Sequence, residues 1–242
     1  MTNFPERVAG IGALAEPVRR DLYLYVCAQP HAVSREEAAA AIGVPLHKAK
    51  FHLDKLEADG LLQTEFARLS GKTGPGAGRP SKLYRRTSQD IAVSLPGREY
   101  ELAGRLMADA IAESSATGVP VIEALNRVAA ARGRDMGEAA LANAGTKPGG
   151  SMELACTVLA EHGYEPREEG NRVLLANCPF HTLSATHTDM VCGMNLALID
   201  AMVAAVDAEG LESRLEPGAD RCCVVLARRG LAERKKSSRQ SR

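Results

Sequence analysis

The chain has 242 residues, 45% hydrophobic and 25% charged, a balance that predicts one large or two modest folded domains. Aromatic residues make up 4% and Trp is absent, so the cores must be built from Ala, Leu, Val, Ile and Met. No apolar run approaches the roughly 20 residues that span a bilayer. Met1 to Glu6 also lacks the basic start and apolar stretch of a secretory signal, so a cytoplasmic protein with no membrane association is expected.

The formal net charge of zero hides a segregation. Residues 1–87 carry 13 Lys and Arg against 9 Asp and Glu, residues 151–227 carry 4 against 12, and residues 228–242 carry 7 against 1. Two basic ends flank an acidic body, and such segregation leaves nucleic acid open as a partner despite the neutral total.

Taken in chain order, Val18, Leu22, Tyr25 and Val26 recur at helical spacing and predict a helix ending near Gln29-Pro30. Ser34 is an N-cap candidate, and Glu37 three residues on completes a capping box. It opens a short Ala-rich helix over Arg35–Ile42, broken by Gly43. Pro45 restarts a helix to Ala58, with Leu46, Ala49, Leu53 and Leu56 as its buried stripe and Asp59-Gly60 as its end. Leu61–Phe66 and Lys82–Thr87 read as two strands around the Gly-rich stretch from Gly71 to Gly78, a hairpin.

Two Ala-rich helices follow, Glu99–Ser115 and Val119–Met136, whose small-residue faces suit either a dimer interface or packing within the domain. A linker runs from Asn143 to Gly150. The last part reads as helix Met152–His162, strands Glu165–Glu169 and Arg172–Ala176, helix Thr188–Val206, and strands Leu211–Glu216 and Cys222–Ala227. The expected fold class is α+β. It comprises an N-terminal winged helix-turn-helix over 1–95, central helices for dimerisation over 96–145, a Cys-rich small antiparallel sheet with helices over 146–228, and a disordered basic tail over 229–242.

In a helix-turn-helix the second helix enters the major groove while the first braces it across the backbone. Here the groove helix is Pro45–Ala58, and its outward residues are His47, Lys48, Lys50, Phe51 and Lys55. The lysines can neutralise phosphates and His47 can donate to a base edge or a phosphate. His52, beside Leu53, reads as a packed or surface residue. From Arg68 to Arg86 there are six basic residues and no acidic one, and Lys72, Arg79, Lys82 and Arg85 are the DNA contacts expected of this hairpin.

The run Ser34-Arg35-Glu36-Glu37-Ala38, His52-Leu53-Asp54-Lys55-Leu56 and Gly60-Leu61 resembles the winged helix of ArsR-like and SufR-like bacterial regulators. Gly78-Arg79-Pro80-Ser81-Lys82-Leu83-Tyr84-Arg85-Arg86-Thr87 is similar to the wing of the SufR-like group. The resemblance covers about eighty residues. It implies a transcriptional regulator, most often a repressor, that binds double-stranded DNA at a palindromic operator as a homodimer.

A second signal lies in the cysteines. Cys178, Cys192, Cys222 and Cys223 cluster late in the chain, with His181 and His187 between them. Thiolates and imidazoles are donors for zinc and for iron–sulfur clusters, whereas reduced thiols in a cytosolic chain do not pair as structural disulfides. Cys222 and Cys223 fall at a predicted strand start, so their side chains are expected to face opposite ways, with Cys222 the one directed to a shared site. Cys27 and Cys156 sit in apolar helical patterns and read as core.

SufR-like repressors hold an iron–sulfur cluster on three widely spaced cysteines, and Cys178, Cys192 and Cys222 (or Cys223) resemble that set in order and rough spacing. The resemblance implies a sensor of redox or cluster status with a fourth ligand among His181, His187 and Cys223, His181 being nearest in sequence. Zinc, a small organic ligand, or plain thiol burial are the alternatives. A thiol enzyme is the reading disfavoured, since no phosphate loop, dinucleotide fingerprint or triad accompanies Cys192 and His187.

Overall fold

In the computed structural model, which describes residues 4–68, 80–144, 150–206 and 210–228, the chain divides into two compact units, Met1–Val93 and Ser94–Arg242.

The first unit opens with helix α1 (Phe4–Ala13), which turns Gly10 and Ala13 inward and leaves Phe4, Val8 and Ile11 exposed on one stripe. The sequence pattern predicts no helix here. Helix α2 (Pro17–Ala28) starts with Pro17 in its first turn and is capped by Glu16, whose carboxylate accepts from Arg19 N at 2.6 Å. Strand β1 (Val33–Ser34) leads into helix α3 (Arg35–Ile42), where Ser34 Oγ accepts from Glu37 N at 3.1 Å. The cap forms as expected. The Glu37 carboxylate, however, takes bonds to Tyr25 Oη (3.3 Å) and His31 Nε2 (3.1 Å), tying α3 to α2. Gly43, at φ 71°, ends α3 in the left-handed region that only glycine enters without strain.

Helix α4 (Leu46–Ala58) buries Ala49, Leu53 and Leu56. Leu46 is exposed, against expectation, because it sits in the first turn, at the end of the buried stripe. His52 takes the fourth buried position instead. Strands β2 (Leu62–Ala67) and β3 (Ser81–Arg86) form an antiparallel hairpin in register from Leu62 opposite Arg86 to Ala67 opposite Ser81, and β1 closes the sheet in the order β1-β3-β2. The core joins Leu22, Val26, Val33, Ala38, Leu53, Leu56, Leu62 and Tyr84.

The second unit contains helices α5 (Tyr100–Thr117), α6 (Val121–Ala144) and α7 (Ser151–Glu161), strands β4 (Pro166–Glu169) and β5 (Arg172–Leu175), helices α8 (His181–Thr186) and α9 (Thr188–Val206), and strands β6 (Leu211–Leu215) and β7 (Val224–Arg228). The four strands form one antiparallel sheet, β4-β5-β7-β6. Helix α6 runs eight residues beyond its expected end at Met136, and α8 has no counterpart in the sequence reading. Strand β7 starts two residues later than predicted, which leaves Cys222 and Cys223 ahead of it.

Helix α9 is the centre of this unit, burying Val191, Met194, Leu198, Ile199, Met202, Val203 and Val206. The small-residue face of α6 lies against it. A Cβ on Gly133 would overlap Leu198 O, and one on Gly137 would stand 2.7 Å from Met202 O. Of the two uses expected for these small residues, α6 therefore commits Gly133 and Gly137 to packing within the domain. By length and composition α9 could cross a membrane, with mean hydropathy 1.6, which corrects the expectation that no apolar run comes close to that length. More than half of that stretch is buried in the unit. The architecture is α+β throughout.

Candidate DNA-binding surface and thiol site

A helix has two sides, and α4 divides them cleanly. Ala49, His52, Leu53 and Leu56 face the core of the first unit, so His47, Lys48, Lys50, Phe51 and Lys55 are all exposed on the remaining arc. Phe51 leaves 64% of its surface open, an unusual position for a phenyl ring without a partner surface. The lysines differ in availability. Lys55 is 2.6 Å from Asp59 and Lys50 is 3.9 Å from Asp54, each one turn along the helix. Among the described residues neither His47 nor Lys48 has an ion-pair partner, so the N-terminal half of α4 carries the least neutralised charge.

Three of the hairpin's expected contacts have distinct fates. Lys82 is drawn back to α4, with Nζ 2.9 Å from Asp54 Oδ1 and bonded to Glu57 as well, and it lies 5.2 Å from the centre of the Tyr84 ring. Tyr84 donates to Asp54 Oδ1 at 2.7 Å and Thr64 donates to Glu57 at 2.7 Å. Burial works against the Asp54 charge, but the bonds from Lys82 and Tyr84 prevail and hold its carboxyl below the usual range. Burial likewise opposes the Lys82 charge, and Asp54 and Glu57 outweigh it. Lys82 thus tethers the hairpin to α4. Arg85 stays half-exposed, 3.5 Å from Glu65. Lys72 and Arg79 lie outside the described residues.

Beneath α4, His52 is buried between Arg19, whose Nε donates to His52 Nδ1 at 3.4 Å, and Glu16, 3.6 Å away. Burial lowers its pKa; the Glu16 carboxylate opposes this and Arg19 and Lys48 reinforce it.

The second unit gathers four cysteines from three segments. Cys178 follows β5, Cys192 lies in the first turns of α9, and Cys222 and Cys223 precede β7. Cys178 and Cys222 share a hydrogen bond, as do Cys192 and Cys223, and the two pairs are close enough for their charges to interact. The expectation that only one of Cys222 and Cys223 reaches the site fails for a physical reason: both precede the strand, so strand alternation does not govern them. His181 and His187 are exposed on and beside α8. Nothing among the described residues ties either of them to the thiols.

Residues without a sequence signature build the surroundings. Asn177 donates to Gly97 O at 2.9 Å and to Gly163 O, and accepts from Arg98. Arg98 also donates to Cys178 O at 3.3 Å. Buried Asn195, one turn along α9 from Cys192, donates to Cys222 Sγ at 3.3 Å and accepts from the buried Tyr164 hydroxyl. Val224 N donates to Cys222 Sγ at 3.5 Å, and Cys222 N is fixed to Leu175 O at 2.8 Å. These partners lie up to 125 positions apart in the chain (Arg98 to Cys223), too far for any spacing rule to have found them.

The hydrogen bond from Cys222 holds the Cys178 thiol down at about 7 despite its burial, helped by Phe180 N, Ser184 and Arg98. The same bond pushes Cys222 strongly upward. Burial, and then the bond to Cys223, raise Cys192 to about 12. As a donor set for a soft metal or a cluster the four thiols suit in type and neighbourhood. A polar atom without a partner, Asn126 Oδ1, is also buried 3.7 Å from where a Cβ on Gly193 would stand, next to Cys192. Among the described residues, however, no three His, Cys, Asp or Glu side chains converge as a metal-holding group.

Compared with known proteins, the chain has no match among curated proteins and none among solved structures. Residues 14–65 match the family model of a helix-turn-helix domain, a span that takes in α2, α3, α4 and the start of β2. The first unit is therefore built on a helix-turn-helix domain of the kind found in transcription regulators.

Proposed function

We propose that the protein is a DNA-binding transcriptional repressor of the winged-helix kind, cytoplasmic, acting as a homodimer on a palindromic operator, with α4 in the major groove. The observation that carries this reading is the division of α4 within a matched helix-turn-helix. Ala49, Leu53 and Leu56 are buried while His47, Lys48, Lys50, Phe51 and Lys55 lie exposed on the other side. His47 and Lys48 carry the base-edge and phosphate contacts of the leading turn, Lys50, Lys55, Lys72, Arg79 and Arg85 add phosphate contacts, and Phe51 packs on apolar base edges such as a thymine methyl. Lys82 contributes by fixing the hairpin to α4. The exposed stripe Phe4, Val8 and Ile11 supports a second copy as partner. Selection from a random duplex library followed by anisotropy titration tests the reading. Enrichment of a two-fold symmetric site bound by a dimer is expected, and no retention of any duplex at low salt overturns it.

The same protein reads as a sensor whose iron–sulfur cluster rests on Cys178, Cys192 and Cys222, with Cys223 ahead of His181 and His187 as fourth ligand. What favours it is the meeting of four thiols from three segments and the contact of Cys223 with Cys192. A bound cluster would supply a redox-labile centre, and zinc would supply a structural one. This chain's part is to hold the thiols, through Asn195 and Val224 N on Cys222 and through Arg98 on the Cys178 backbone. Anaerobic purification with visible spectra and iron and zinc content decides. A colourless, metal-free protein that still binds its operator fully overturns the sensor reading, and zinc in that sample replaces the cluster.

A further inference from the structure

The thiols are arranged as pairs, and the pairs are not alike. Cys178 is only partly buried, whereas Cys222 is 1% exposed. Cys178 is surrounded by groups that stabilise a negative sulfur: Phe180 N, the Ser184 hydroxyl and the Arg98 guanidinium. Cys222 is held facing it. Its backbone N is bonded to Leu175 O, three residues before Cys178, and its sulfur is positioned by Asn195 Nδ2 and Val224 N. One sulfur is thus open to a small solute and stabilised as a nucleophile. The other is shielded, in hydrogen-bonding contact with the first, and fixed in place.

We propose that Cys178 and Cys222 form a peroxide-reactive dithiol, Cys178 being the sulfur attacked by the oxidant and Cys222 the sulfur that resolves it into a disulfide. Hydrogen peroxide, or an alkyl hydroperoxide of similar size, is the co-reactant. The Cys178 sulfur attacks the terminal peroxide oxygen, the O–O bond breaks, and hydroxide leaves and is protonated to water. Cys178 is then a sulfenic acid, oxidised by two electrons. The Cys222 sulfur gives up its proton and attacks the Cys178 sulfur, the S–O bond breaks, and a second water leaves. Two thiols and one peroxide become one disulfide and two waters. A sulfur–sulfur contact already within hydrogen-bond range needs only a local closure to the bonded separation of about 2 Å. Cys192 and Cys223 lack such an arrangement, because Cys192 itself is buried and burial disfavours its thiolate.

The inference goes beyond the regulator reading and does not depend on DNA binding. The test uses the full chain, stripped of metal with a chelator, reduced, and treated without oxygen with one equivalent of hydrogen peroxide. The six thiols should fall to four. Digestion at Asp189, which separates Cys178 from Cys192, should recover the Cys178 fragment joined to the fragment holding Cys222 and Cys223. The double variant Cys192→Ser, Cys223→Ser should still lose two thiols. Cys222→Ser should instead leave a sulfenic acid at Cys178, trapped by dimedone, and Cys178→Ser should give neither product. Unchanged thiol number, a bond on the Cys192 fragment, or full loss persisting in Cys178→Ser overturns the proposal. The wild-type fragment map keeps the test decisive even where a variant fails to fold.

Discussion

Among single residues, His52 shows how a side chain on a DNA-facing helix can belong to the core. The sequence leaves it between a packed and a surface role, and burial beneath α4, between Arg19 and Glu16, decides for packing. Its pKa is depressed in the fold, chiefly by that burial. The unfolded chain therefore binds a proton more readily, and the neutral imidazole's contribution to stability is lost as pH falls below the ordinary imidazole value of 6.5. Urea midpoints measured from pH 8 to 5 should fall on the acid side, and His52→Gln should flatten that part of the curve. An unchanged profile in the variant would assign the acid sensitivity to other groups. Lys82 carries the same lesson in reverse. Its place in a run of basic residues marks it for phosphate, but Asp54 and Glu57, 28 and 25 positions away, claim its charge. No local pattern reveals such a pairing.

For whole elements, legibility follows the strength of local chemistry. The Ser34 cap, the Gly43 stop and the limits of α9 are readable because each depends on one residue type or on a long apolar run. Helix α1 escapes because Pro5, Gly10 and Gly12 dilute its signal, and α8 because six mixed residues give no period. The Ala-rich faces of α5 and α6 are ambiguous by nature, since small residues permit close approach without naming the partner. For α6 the partner is α9. Gly133→Ala should therefore cost about 2 kcal/mol or more in urea denaturation, since the new methyl overlaps the Leu198 backbone. Gly104→Ala, where nothing lies within 4 Å, should instead stabilise α5 by about 0.5–1 kcal/mol. On α4, Lys48→Ala should lower the slope of log affinity against log salt by about 1 per DNA-bound helix. Lys55→Ala, already paired with Asp59, should change it less.

At the scale of the molecule, the two units have separate cores, and the sequence announces this division through its charge and its cysteines rather than through any boundary motif. The DNA-facing side of the first unit is legible because a helix-turn-helix is a local motif, contained here within residues 14–65. The thiol site is legible only as a list of donors. Its geometry depends on Arg98, Tyr164 and Asn195, brought in from distant positions. The apolar character of α9 has a further consequence, one that concerns the chain before it folds. Until α6 and the sheet close over it, a nascent or unfolded molecule displays a 19-residue segment with the hydropathy of a membrane helix. Such a segment is a natural chaperone client and a nucleus for intermolecular sticking. Refolding from urea should accordingly give yields that fall as protein concentration rises, with light scattering reporting the loss. The helix that makes the second unit stable once folded is also what makes its birth hazardous.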